Sequence, residues 1–514
     1  MKRFKLTAFL LAGALSVTCL VGCGGGNGGG DSSSSQTEYT LKASDFTVDG
    51  KFMTFADVPP DPNSTEAISL YKDLGLDIYL MTEDYVSLLD RSTGKYNASY
   101  KNAIQNAVDA GLEVWIRNYY NDPDYFQLDE VKSGNSNYST GYNLQPRNFT
   151  DEFNGTGVTG FYMADEAFMH TLKDVSYGGS NFSSKFAAFD QYEKLIEWKN
   201  TYYPDLFWHM NHVPSSSFDH YASQLMADEK YEGEYFDYAD FINAYIDLVI
   251  RKLTSGGRSV CLDNYPFNTV VPDGISDSYL YDLLTCALAT KNYNATAEKG
   301  QEATFGICLQ TFMNTSSKVK LRDITMPEEV TFQMYAGMAC GAELFEYFLY
   351  NSIPGAGMYG IMNDSVEKRI YDIVKEANDR AFPFADVIRA FDWKGLITSA
   401  AGTEAQRDLS NERAFNAVEG MTATETGVLK TVSSRVDTVV GCFEKDGKDG
   451  YMVVNYTSPV VKKSDTVKLS FDGCKEALVF KSVGGKLQAE NVRLLDGSYQ
   501  ITIQSGDCAF IIPA

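Results

Sequence analysis

The sequence predicts an α/β fold, a (β/α)₈ barrel followed by a C-terminal antiparallel β-sandwich. Over residues 51–350, short apolar runs alternate with longer helical stretches, the pattern of strand and helix units that build a parallel sheet. Eight such runs can be counted, the number that closes a barrel. From about Phe391 the texture changes to short alternating segments separated by Gly- and Asp-rich turns, which is how antiparallel strands present themselves.

Taken in order, the barrel strands are expected at 52–58, 76–82, 112–119, 157–164, 206–211, 259–265, 304–312 and 342–350. Helical stretches are expected between them at 64–74, 97–110, 186–202, 235–253, 278–297 and 327–340, with 365–382 closing the outer ring. The sandwich strands include 450–456, 466–471, 476–483 and 499–503, and the chain ends in an apolar strand at 508–512. The domain boundaries that follow are 41–390 for the barrel and 391–514 for the sandwich.

The first 23 residues carry Lys2, Arg3 and Lys5, an apolar core over 6–20, and then Leu20-Val21-Gly22-Cys23. This is a secretory signal of the lipoprotein type, an ordinary cleaved signal being the alternative. Cys23 is therefore expected to become the lipidated first residue, held to the membrane by acyl chains rather than by a spanning helix. Residues 24–36 are almost entirely Gly, Ser, Asn and Asp, which cannot bury a core, so 24–40 is expected to be a flexible tether. The expected location is the bacterial cell surface, anchored and facing away from the cytoplasm. No later apolar run is long enough to cross a bilayer.

Charge and cysteine usage narrow the partners. A formal net charge of -24 argues against nucleic acid or an anionic lipid surface and suits a neutral substrate. The cysteines beyond Cys23 are Cys261, Cys286, Cys308, Cys340, Cys442, Cys474 and Cys508, irregularly spaced and mostly in apolar surroundings, and they are expected to be small core residues. C-x-x-C and H-E-x-x-H spacings are absent, and His209 and His212, three apart on a strand, face opposite ways. No metal and no cofactor is expected.

In a barrel of this kind the reacting groups sit where the strands end. Those positions hold Asp57, Arg117, Asn118, Tyr119, Asp165, Glu166, Asn211, His212, Asp263, Asn264, Tyr265, Gln310, Glu346 and Tyr350. The fourth run, from Gly160 through Asp165 and Glu166, ends in two adjacent acids, which suggests acid/base chemistry on a polar substrate. Simple alternation puts Tyr162, Ala164 and Glu166 on one face of that strand, Cys261, Asp263 and Tyr265 together on the sixth, and Gly306, Cys308 and Gln310 on the seventh. On the eighth it groups Leu344, Glu346, Phe348 and Tyr350. Glu346 is expected to point inward, because burying it unpaired among helices is costly. Bland roles stand beside these: Asp165 and Glu166 also suit the first turn of a following helix, and Asp263 before Asn264 and Pro266 also suits a turn.

The fourth strand ending Gly-Phe-Tyr-x-x-Asp-Glu, the Asp263-Asn264-Tyr265-Pro266 turn, the Gln310-Thr311-Phe312 strand end, and Met326-Pro327-Glu328-Glu329 leading to Gly341 through Phe348 together resemble the barrel of glycoside hydrolase clan A. They are most similar to its β-galactosidase-like and polysaccharide-utilisation members, over residues from about 45 to 390. The resemblance implies a glycosidase acting on neutral oligo- or polysaccharide with Glu166 as general acid/base. Asp165 departs from the Asn usual before that residue, and an acidic neighbour raises a carboxyl pKa in the direction a proton donor needs. The clan's nucleophile is a Glu ending strand seven, where this chain has Gln310, and an amide cannot serve. Asp263 or Glu346 is left to supply the second carboxylate, and Asp263 is favoured because it lies nearer the active face. Asp57, Tyr119, Asp165, Asn211, Tyr265, Gln310 and Tyr350 are expected to orient sugar hydroxyls or to stack on a sugar face. The rival from another class is a carbohydrate-binding lipoprotein on a degenerate barrel, with the missing strand-seven Glu as its mark.

Overall fold

The computed structural model describes residues 39–81, 89–90, 95–118, 149, 151–166, 192–219, 237–270, 273–315, 320–362, 369–399 and 427–514. The predicted signal, Cys23 and most of the tether lie outside them. Residues from Thr40 to Ala514 form one compact unit.

All eight barrel strands are present within a few residues of their expected bounds. They are β1 Met53–Ala56, β2 Ile78–Met81, β3 Glu113–Arg117, β4 Val158–Ala164, β5 Phe207–His212, β6 Arg258–Asp263, β7 Ala303–Gln310 and β8 Leu344–Phe348. They pair in parallel in the order β1-β8-β7-β6-β5-β4-β3-β2. The edge strands then meet, the Asp77 N–H donating to the Thr54 carbonyl at 3.2 Å. Helices α1 Thr65–Asp73, α2 Ala98–Asp109, α3 Glu193–Tyr202, α4 Tyr238–Leu248, α5 Tyr279–Asn294, α6 Pro327–Ala339 and α7 Arg369–Ala381 form the outer layer. Their starts are locally encoded. Ser64 caps α1, Asn97 caps α2, Asp237 and Asp240 form a capping box on α4, and Pro327 opens α6.

The inside of the ring is a small aromatic core of Phe55, Ile78, Leu80, Trp115, Tyr162, Cys261 and Leu344. Gly160 is required there, because a Cβ would come within 2.5 Å of Trp115 Nε1. Below this core, where the strands begin, Arg258 and Lys199 are buried with no carboxylate partner among the described residues. Arg258 donates to the carbonyls of Ile250, Leu253 and Gly256 and to the Tyr293 hydroxyl, at 2.9–3.4 Å. Lys199 donates to the carbonyls of Pro204 and Ser255 at 2.5 and 2.6 Å, and burial pulls its ammonium down to about 8.

The C-terminal part is a sandwich of two antiparallel sheets. Strands Asp392–Ser399 (β9), Leu429–Ser433 (β10), Thr438–Lys445 (β11), Lys448–Asn455 (β12), Ser464–Phe471 (β13), Glu476–Val483 (β14), Lys486–Arg493 (β15), Ser498–Gln504 (β16) and Cys508–Pro513 (β17) are arranged as β9-β11-β12-β17-β14-β15 and β10-β13-β16. The middle of the larger sheet is buried on both faces, which is why its central strands β12 and β17 carry nearly continuous apolar runs, while the edge strands β9 and β15 are more polar and exposed. Ala509 and Ile511 face the smaller sheet, whereas Cys508, Phe510 and Ile512 join the core shared with the barrel. Against that second face lies α6. The Trp393 indole N–H donates to the Ala339 carbonyl at 2.8 Å, and a Cβ at Gly441 would come within 2.3 Å of that same oxygen.

Candidate functional site

The sequence places a ring of polar residues at the upper mouth, where the strands end, and the structure sorts them into layers. Arg117, closing β3, bridges two acids: one guanidinium nitrogen bonds Asp57 beyond β1, and the other reaches Asp165 beyond β4 at 2.8 Å. Burial works against that charge, but the two carboxylates outweigh it and hold Arg117 ionised. The guanidinium also lies over the Tyr162 ring, 4.9 Å from its centroid. Asp57 is thus a partner of Arg117 and does not line the cleft described below. In the sequence, the signal for this bridge is a lone arginine among strand-end acids.

Strand β4 departs from simple alternation. Tyr162 pairs with His209, but Ala164 pairs with Met210, so one extra residue is accommodated. Met163 and Ala164 both face the outer core, while Tyr162 faces the barrel interior. The expected inward set of Tyr162, Ala164 and Glu166 is therefore corrected: Ala164 turns outward, and Asp165 comes in beside Arg117. Glu166 follows with a φ of 46°, a left-handed conformation unusual for a residue with a Cβ, and its N–H donates to Asn211 Oδ1 at 2.8 Å. Asn211 is buried and serves as the holder of Glu166.

Above this layer lies a cleft of about 320 Å³, lined by Glu166, Asp263, Tyr265, Ser216, Val270 and Lys320 among others. Asp263 closes β6 and is 8% exposed, with Oδ1 accepting no hydrogen bond among the described residues. Burial pushes its carboxyl well above the usual carboxylate range, and Glu166 and Asp165 push the same way. Tyr265 packs edge-on against Phe312 at 5.5 Å, with its hydroxyl 3.6 Å from Cys308 Sγ. One wall is tied by Asp282 of α5, which accepts from Asn264 Nδ2 at 2.7 Å and from the Ser215 N–H at 3.1 Å.

Three expected site residues sit elsewhere in function. The side-chain amide of Gln310 is consumed, accepting from the Phe267 N–H at 3.1 Å and donating to the carbonyls of Phe267 and Arg322 at 3.1 and 2.8 Å. Gln310 is fully buried and staples the loops that follow β6 and β7, leaving it no group with which to orient a hydroxyl. Tyr350 is buried against Tyr71, ring centroids 5.1 Å apart, and is no platform for a sugar. Glu346 points into the barrel, as expected, but lies under the cleft at 1% exposure. It accepts from the Tyr162 hydroxyl at 3.1 Å and faces His209 Nε2 at 3.4 Å and Cys261 Sγ at 3.9 Å. Burial, reinforced by Asp57, Asp165 and Asp263, pushes it well above the carboxylate range. These three side chains form a potential metal-ligand cluster drawn from three strands, which no local spacing in the sequence announces. Tyr119 lies outside the described residues, as do residues 167–191, where a helix starting at Asp165 or Glu166 would run. His212, on the outer face, packs 4.2 Å from the Tyr245 ring, and burial pushes its imidazole down to about 3.

No family model matches the chain, and no curated protein matches it. Among solved structures, it is similar to a GH30 endoxylanase from Clostridium papyrosolvens, at 12% identity over 90% of this chain and 98% of that one, with a TM-score of 0.37. A bifunctional glucanase-xylanase from a metagenome library matches at 12% identity over 90% and 95%, with a TM-score of 0.40. A GH51 arabinofuranosidase from Xanthomonas axonopodis pv. citri matches at 9% identity over 90% and 93%, with a TM-score of 0.38. All three are glycoside hydrolases, and the barrel and sandwich assigned to this chain rest on its own strand pairing.

Proposed function

We propose that this protein is a glycoside hydrolase that cleaves glycosidic bonds of neutral oligo- or polysaccharides, held at the outer face of a bacterial membrane by lipid on Cys23. The observation that carries the reading is that Glu166 and Asp263, from the ends of β4 and β6, line one cleft, with the half-buried Tyr265 ring beside them. Arg117 already engages Asp57 and Asp165, whereas an oxygen of Asp263 accepts no hydrogen bond among the described residues. Glu166 is assigned the donor that protonates the leaving-group oxygen, and Asp263 the carboxylate that supports the developing oxocarbenium ion, directly or through water. Burial first, and then the neighbouring Glu166, raise the Asp263 carboxyl above the usual carboxylate range, so the two acids sense each other across the cleft.

The roles separate on substrates of different leaving-group quality. Glu166→Gln is expected to abolish reducing-sugar release from natural glycans yet spare an aryl glycoside whose leaving group needs no proton, while Asp263→Asn loses both. Unchanged cleavage of natural glycans by Glu166→Gln sinks the reading. The absence of a strand-seven carboxylate, with Gln310 built into the loops, favours the carbohydrate-binding alternative. That alternative gains if the wild type binds glycans and cleaves none. For the anchor, Cys23→Ser is expected to release the protein from the membrane fraction.

A further inference from the structure

Beneath the cleft, the barrel interior holds a second polar cluster that the proposed chemistry does not use. His209 Nε2 lies 3.4 Å from Glu346 Oε2, Cys261 Sγ lies 3.9 Å from the same oxygen, and the three ligand atoms fall within 4.8 Å of one another. All three side chains are buried. His209 Nε2 has no hydrogen-bond partner among the described residues despite complete burial, and leaving such a group unmatched costs about 1–3 kcal/mol. Its other nitrogen is fixed, with Nδ1 2.8 Å from Ser259 Oγ, and Glu346 Oε1 is fixed by the Tyr162 hydroxyl at 3.1 Å. Metal-bound histidines and carboxylates carry an outer set of hydrogen bonds of this kind, which sets the tautomer and aims the ligand.

We propose that His209, Cys261 and Glu346 form a buried site for one divalent transition-metal ion of the zinc class, one layer below the cleft. The donor set is imidazole, thiolate and carboxylate, which suits Zn²⁺ and is too soft for Ca²⁺ or Mg²⁺. With bonds of about 2.0–2.3 Å, a tetrahedral ion holds its ligand atoms roughly 3.3–3.8 Å apart. The 3.4 Å edge from His209 to Glu346 falls in that range and the 3.9 Å edge from Cys261 lies just above it, so small side-chain adjustments bring all three atoms, now within 4.8 Å, onto one ion. Thiolate and carboxylate together balance a divalent charge, so the occupied centre is neutral, as a packed interior requires. Cys261 precedes Asp263 by two residues on β6, which sets the ion about 7 Å below the cleft carboxylate. Its role is therefore to clamp β5, β6 and β8 across the barrel, outside the reach of a substrate.

The test is metal binding by the mature protein, with no assay of activity. Protein stripped with a chelator is titrated with Co²⁺ and then Zn²⁺. The expected result is one ion per chain, a thiolate-to-cobalt charge-transfer band displaced by Zn²⁺, and release of about two protons per ion. Cys261→Ser is expected to lose the band, and Ser259→Ala, which removes only the outer hydrogen bond to His209, to weaken binding about 10–100-fold. Absence of the band in the wild-type protein overturns the proposal. So does a band that survives in Cys261→Ser, since the thiolate then belongs to another cysteine. Should Cys261→Ser fail to fold, the wild-type titration and the Ser259→Ala affinity still decide.

Discussion

At the lower mouth of the barrel, Arg258 and Lys199 are buried against backbone carbonyls, and nearly all their donors are spent closing the loops around them. At the upper mouth, Arg117 is shared between Asp57 and Asp165, and Asp263 sits in the cleft wall with an oxygen unmatched among the described residues. Both mouths bury charge. The lower one spends most of its donors within the fold, while the upper one leaves an acceptor unmatched among the described residues. Burial of a charged residue is thus a poor marker of a site, and incomplete satisfaction on a cleft wall is a better one.

The largest effect expected from this contrast is at the upper mouth. Glu166→Gln should lower turnover on neutral glycans by about 10²–10⁴-fold and leave the calorimetric unfolding midpoint unchanged. At the lower mouth the opposite holds: Arg258→Met should cost on the order of 3 kcal/mol in urea unfolding, because several buried carbonyls lose their donor. A cost below about 1 kcal/mol would mean that the lower charge is no strut.

Two pH profiles sharpen the contrast. His212 stays neutral in the folded protein down to about 3, whereas the unfolded chain protonates near 6.5, so protons favour unfolding and stability falls as pH drops below 6.5. Between pH 7 and pH 5 the wild type should lose about 2 kcal/mol more than His212→Phe does. Lys199 is depressed in the opposite part of the scale: folded it loses its proton near 8, unfolded near 10.5, so stability rises with pH across that window. From pH 8 to pH 9 the gain relative to Lys199→Met should be about 1 kcal/mol.

The barrel was legible in the sequence because each strand and helix carries its own period and its own caps, as with Ser64, Asn97 and Pro327. The polar ends of the strands were legible for the same reason, and Glu166 with Asp263 emerges from that list. What the chain did not disclose depends on neighbours. The extra residue at Met163 is defined only against His209 and Met210 on β5, and it decides that Asp165, not Ala164, turns inward. Gln310 looks like a displaced catalytic position until the backbone of Phe267 and Arg322 arrives to occupy its amide. The cluster of His209, Cys261 and Glu346 is spread over residues far apart in the chain, and only closure of the sheet brings it together.

Helix α6 has almost no surface of its own, since Glu329 through Ala339 are all buried between the barrel and the larger sheet of the sandwich. The glycine at 441 and the indole of Trp393 meet the same carbonyl, that of Ala339. A gene truncated near residue 390 would present water with a greasy helix, and a recombinant carrying a foreign sandwich would need the same gap opposite Ala339. Barrel and sandwich in this lineage are therefore expected to be inherited together, as one unit of selection, however separable they look on a map of the chain.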